Sequence, residues 1–136
     1  MDPKRSQPIL EIKELTRGDK PVVTGYREHG FTVGERMLEG SLLLTPEGYV
    51  EIAAESVEDL ALETLAPLFD ADTDIEILLL GGGETLRFPT DRLRRALDAA
   101  GIAVEPMDSA AAARTFNVLV MEERRVAALL LPISRR

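Results

Sequence analysis

Residues Ile75–Leu80 read IEILLL and run directly into three glycines, Gly81–Gly83. Few folds admit such a run. It has strand length and almost no polar position, so neither face of the strand can look at water. A strand of that kind belongs inside a layered α/β sheet, covered on both sides. The glycines end it in a turn that tolerates positive φ or close packing, and an amphipathic helix is under way by Leu93. Strand, glycine turn and helix also make the frame in which many proteins hold a phosphate. The turn therefore has two readings, a phosphate cradle or a tight turn.

The neighbouring segments supply the rest of a sheet. Between residues 22 and 53, short β-prone runs (PVVTGY, GFTV, RMLEGSLLLT, GYVEIA) alternate with Gly30, Gly34 and Gly40, and the PEG turn at Pro46–Gly48 predicts a hairpin. Residues 56–66 have helical spacing behind Ser56, with Pro67 as the expected stop. Thr90 is placed to cap a helix whose stripe is Leu93, Ala96, Leu97 and Ala100, with Gly101 ending it. IAVEPM is the next strand. Asp108 or Ser109 caps SAAAARTFNVLVME, a helix apolar almost all round and so expected to be largely buried. RVAALLLPI closes the chain as a further buried strand. The pattern predicts a single three-layer α/β domain over residues 21–136 with a β-rich flank, preceded by a loose lead-in at 1–20.

The turn does not match the nucleotide fingerprints. A dinucleotide site needs G-x-G-x-x-G opening into a helix, but Leu86 stands where the third glycine belongs and Glu84 brings a negative charge. A Walker A loop needs a lysine that the chain lacks beyond Lys20. What remains is a permissive turn or a small crevice of another kind. If the strands at 75–80 and 103–107 are parallel, the Gly81, Gly82, Gly83 turn and the helix start at Asp108 and Ser109 share one sheet edge, where ligands of open α/β sheets collect. Arg114, Thr115 and Asn117 are the polar residues of the otherwise apolar helix. Each needs a partner or an opening, since an unpaired buried polar group costs roughly 1–3 kcal/mol. Asn117 is expected to bond the backbone of a neighbouring loop, with residues 81–84 the first choice. The alternative is that these residues line a ligand or partner crevice with Arg114 as the anion-pairing group, the site of a small-molecule-binding protein or a cryptic enzyme.

No catalytic constellation emerges. His29 is the one histidine and sits in a turn, Ser56 is placed as a cap, and Glu35, Glu39, Glu51 and Glu55 read as a solvated strand face. With no cysteine and one histidine, thiolate and multi-histidine metal sites are excluded, and no cofactor is implied. The 24 acidic against 16 basic residues leave a net charge of −8, which repels nucleic acid and anionic lipid. No apolar run approaches the ~18 residues of a membrane span, and MDPKRSQP resembles neither a signal nor a transit segment. A cytoplasmic location is the expectation.

The stretches GFTVGERMLEGSLLLTP, LLLGGGETLRF and GIAVEPMDSAAAARTFNVL resemble the domain of unknown function 498 family, the Mth938-like domains, over about residues 20–133. The family's glycine turn reads L-G-x-G, matched here by Gly81 and Gly83. The resemblance implies a central mixed sheet whose last strand is antiparallel to its neighbours, with helices on one side and a β-meander on the other. Eukaryotic members act in assembly of mitochondrial NADH dehydrogenase (complex I). The resemblance therefore implies a binding or assembly function without a known reaction, and a respiratory-complex subunit or assembly protein as partner.

Overall fold

The structure, a computed structural model, describes residues 22–27, 29–70 and 73–133. The lead-in expected at 1–20 lies outside the described residues. Strands β1 (Val23–Arg27), β2 (Gly30–Val33) and β3 (Arg36–Glu39) form a small antiparallel sheet. Strands β4 (Ser41–Thr45), β5 (Gly48–Ile52), β6 (Ile77–Gly81), β7 (Ala103–Met107) and β8 (Val126–Leu130) form a larger one in the order β5-β4-β8-β6-β7. The predicted PEG hairpin is present, with Thr45 opposite Gly48.

Strand alternation sorts the large sheet's side chains into two cores. Leu42, Leu44, Leu79, Val126, Ala128 and Leu130 point to one face. Leu43, Leu78, Leu80, Ala127, Leu129 and Leu131 point to the other. The first face is covered by helix α3 (Ser109–Met121) together with the small sheet, through Phe116, Val120, Phe31 and Val33. The second is covered by helices α1 (Ala66–Phe69) and α2 (Asp91–Ala99), through Leu68, Leu93 and Leu97. The three layers are as expected, but the helices are not confined to one side. The chain steps from β7 over β6 to β8, and α3 makes that step on the face opposite α2.

The closing strand also differs from the expectation that it is antiparallel to its neighbours. It is antiparallel to β4, with Leu43 opposite Leu129, but parallel to β6, with Leu79 opposite Ala128. The helical crossover returns the chain to the edge where β6 and β7 begin, so β8 must run with them. The hairpin half arrives running the other way.

Two helices depart from their predicted form. In place of a helix over 56–66, single 3-10 turns occur at Val57–Asp59 and Leu62–Leu65, with Leu60 and Ala61 extended between them. The Ser56 hydroxyl donates to the Asp59 carboxylate (2.9 Å) rather than capping a backbone N–H. Pro67 starts a helix instead of ending one: it occupies the first turn of α1, where its fixed φ fits and its missing N–H costs nothing. Helix α3 runs as predicted, but it is not buried all round. Arg114, Val118 and Met121 recur at helical spacing on an exposed stripe, because α3 is an outer layer and only its inner face meets the sheet.

Asn117 attaches the small sheet to α3. Its amide oxygen accepts from the Val23 N–H (2.8 Å) and its amide nitrogen donates to the Val23 carbonyl (2.7 Å). The side chain thus pairs with β1 as another strand would. The expectation that Asn117 bonds a backbone segment is met, but at β1, not at residues 81–84. The glycine turn lies beyond the start of α3, about 12 Å away along the helix at ~1.5 Å per residue.

Two outcomes follow from this packing. Leu79→Ala opens a cavity beneath α3 and should cost about 2–5 kcal/mol in urea melts; a loss under ~1 kcal/mol would place β6 away from the core. Asn117→Ala strands both polar groups of Val23 and should cost about 1–3 kcal/mol, with faster amide exchange in β1–β3 than in β4–β8. Uniform exchange across the two sheets would show that this pairing does not hold β1.

Candidate functional site

Strands β6 and β7 are parallel, with Gly81 opposite Met107, so the glycine turn and the start of α3 do share the carboxyl edge of the sheet. Ser109 joins them and is fully buried. Its N–H donates to the Gly83 carbonyl (2.9 Å), and its hydroxyl accepts from the Gly83 N–H (2.9 Å) and donates to the Leu131 carbonyl (2.6 Å). The Leu131 N–H in turn donates to the Gly81 carbonyl (3.1 Å), and the Gly82 N–H to the Met107 carbonyl (2.9 Å). One serine therefore ties together the ends of β6 and β8 and the first turn of α3. Asp108 caps that turn by accepting from the Ala111 N–H (2.7 Å). The N–H groups of Gly82 and Gly83, which a phosphate would need, are already used.

Each glycine has its own reason. A Cβ on Gly81 would lie 2.9 Å from the Ser109 Oγ and 3.0 Å from its Cα, so the strand can approach α3 only without a side chain. Gly83 has φ +99°, and a Cβ there would meet the Pro132 carbonyl at 2.9 Å. A Cβ on Gly82 would meet the Thr85 carbonyl at 2.6 Å and the Arg87 Cβ at 2.8 Å. The loop after the turn thus folds back, with the Arg87 stem lying over Gly82.

That loop displays apolar side chains. Leu86 is 47% exposed and Phe88 is 74% exposed, the most exposed large hydrophobic residue among those described. Sequence reasoning fixed on the glycines and missed them. The signal available was an apolar pair between a glycine turn and Pro89 with no strand or helix period to bury it.

Of the other sequence-derived candidates, Arg114 is exposed and Thr115 half-buried on α3, and Asn117 is committed to β1. These three lie along the helix from the glycine turn and do not join it. His29 is half-buried and lines an open cleft of about 290 Å3 with Glu39, Glu55 and Pro132. A second cleft, about 390 Å3, is lined by Asp70, Thr73, Asp74 and Glu76 on one side and Ala100 and Gly101 on the other. Neither is lined by the glycine turn. Among the described residues, no group of three His, Cys, Asp or Glu side chains is placed to hold a metal ion, and no helix is long and apolar enough to cross a membrane.

Because Ser109→Ala leaves the Gly83 N–H and the Leu131 carbonyl buried without a partner, it should cost about 1–3 kcal/mol for each stranded group in denaturant melts. A change within ~0.5 kcal/mol would show that the edge is held by something else.

Comparison with known proteins agrees with this architecture. The chain is 33% identical over 130 residues to the NADH dehydrogenase [ubiquinone] 1 alpha subcomplex assembly factor 3 of Danio rerio, covering 95% of this chain and 72% of that protein. It is 32% identical to the assembly factor 3 of Xenopus tropicalis over 107 residues, 79% of this chain but only 58% of the relative. The solution structure of a Mth938-like domain protein from Bordetella pertussis superposes with a TM-score of 0.71 at 27% identity, covering 84% of this chain and 87% of that one. Residues 23–131 match DUF498, the protein of unknown function (DUF498/DUF598) family, and the chain belongs to that family.

Proposed function

We propose that this protein is an assembly-factor-like binding protein that acts by holding a protein partner rather than by catalysis, and that its partner is a subunit or assembly protein of respiratory complex I. The observation that carries this reading is the 33% identity, across 95% of the chain, to a relative named as a complex I assembly factor. The chemistry of the sheet edge is consistent with it. The Gly82 and Gly83 donors that could hold a small anion are spent on Met107 and Ser109, and the edge instead projects apolar side chains outward. In this reading Gly81, Gly82, Gly83, Asp108 and Ser109 form the platform of the site, Asn117 ties the small sheet to α3 beside it, and Arg114 and Thr115 lie on the same helix.

Deleting the gene in its native cell should lower assembled complex I severalfold on native gels, with subassemblies accumulating and other respiratory complexes unchanged. Normal complex I in the deletion strain would exclude the assembly role.

A further inference from the structure

The loop at 84–90 and the first turn of α2 combine two properties in this acidic chain. One is the exposed pair Leu86 and Phe88. The other is charge. Within residues 84–98 stand Arg87, Arg92, Arg94 and Arg95 against Glu84, Asp91 and Asp98, a local excess of base in a chain of net charge −8. Arg94 is bonded to Asp91 (2.6 Å), and the hydrogen bond and charge of Arg94 hold that carboxyl below its usual range. Arg92 and Arg95 lie one turn apart on the solvent side of α2, away from buried Leu93 and Leu97.

We propose that this loop is the docking element for a protein partner, with Phe88 entering an apolar pocket whose rim is acidic and faces Arg87, Arg92 and Arg95. The inference rests on the protein-binding reading above and adds the surface and the chemistry of the partner. Three features support it. An aromatic side chain with neighbouring arginines is the composition of an interface hot spot. The backbone that leads to the anchor is braced, because the Arg87 stem lies over Gly82 and the turn beneath is tied to Ser109, which limits the ordering cost of association. The sign of the charge selects an acidic surface, and the choice of a protein over an anionic membrane follows from extent. A membrane is a plane that would also confront the remaining acidic surface of this chain, whereas the rim of a protein pocket can match a local basic patch, with charges beyond a Debye length of about 8 Å screened from it.

The test uses the full chain in its native cell, with the photo-crosslinking residue benzoylphenylalanine in place of Phe88 and, as a control, in place of Asp98. The protein crosslinked from position 88 is identified, purified and titrated with the unmodified chain, Phe88→Ala, the double variant Arg92→Glu/Arg95→Glu, and Val118→Ala on the exposed stripe of α3. Every substituted side chain is exposed, so thermal melts should be unchanged. The expected result is an acidic partner whose affinity falls at least about tenfold with Phe88→Ala. It should fall similarly with the double arginine variant at ~50 mM salt and weaken for the unmodified chain at ~300 mM salt. Val118→Ala should leave it intact. The proposal is overturned by crosslinking at 88 no stronger than at 98, by a partner indifferent to Phe88→Ala, or by loss of binding with Val118→Ala alone. Phe88-dependent sedimentation with phosphatidylserine vesicles in place of a protein partner would overturn it as well. If Phe88→Ala restores complex I in the deletion strain as well as the unmodified gene does, the docking surface fails while the assembly role stands. If the deletion leaves complex I intact but the Phe88-dependent complex forms, the reverse holds.

Discussion

Strands β4, β6 and β8 have no side that can face water, and most of the architecture follows from that constraint. Leu42, Leu43, Leu44, Leu78, Leu80, Leu129 and Leu130 are completely buried, and they alternate between the two faces of one sheet. A sheet that is apolar on both sides needs two covering layers. This chain supplies them from different material: α3 and a small antiparallel sheet on one face, two helices and irregular turns on the other. Each apolar residue buried this way contributes roughly 1.5–3 kcal/mol of transfer free energy. The short and weakly formed elements, such as four-residue α1, persist because they close the layer over Leu80 and Leu129, not because they are good helices.

The same arrangement decides what the glycine turn can do. At the carboxyl edge of a parallel pair, backbone donors are normally available to a ligand. Here the first residue of α3 is a serine whose hydroxyl both accepts from Gly83 and donates to Leu131, so the edge is filled by the protein's own atoms. The edge is thus stiff where a nucleotide-binding protein would be open. What leaves it is a loop in which Gly82, free of a Cβ, lets Arg87 fold inward while Phe88 turns out. Polar chemistry is consumed in building the support, and apolar surface is displayed on it.

Much of this is written locally in the sequence. IEILLL announces a central strand. The Thr90 and Asp108 caps and the Gly101 stop lie where short-range rules put them, because caps and stops depend on neighbours a few residues away. Local rules also mislead once, at 56–66, where helical spacing folds as two 3-10 turns; the other features that failed to show are nonlocal. Asn117 looked in need of a partner, yet the partner is Val23, 94 residues earlier in the chain, and no periodicity reports such a distance. Helical spacing shows that α3 is apolar but not which face of the sheet it lands on, so helices on both faces could not be foreseen. The loop at 84–90 inverts the usual inference. Apolar residues argue for burial, and only the completed fold shows that Phe88 stands exposed among the described residues.

The place of β8 has a consequence for how the chain becomes a fold. It is the last of the described strands in sequence, yet it lies in the centre, between β4 and β6. Before it arrives, β4–β5 is a lone hairpin and β6–β7 a lone parallel pair, and neither is stable alone in water. A ribosome making this protein therefore releases most of the apolar residues of both cores before the element that unites them exists. Pairings of high sequence separation form slowly, and the waiting β4 and β6 present unpaired, leucine-rich edges of the kind that draw in other chains. A protein built this way has reason to meet chaperones early, and truncation before Val126 should yield aggregation rather than a smaller folded domain.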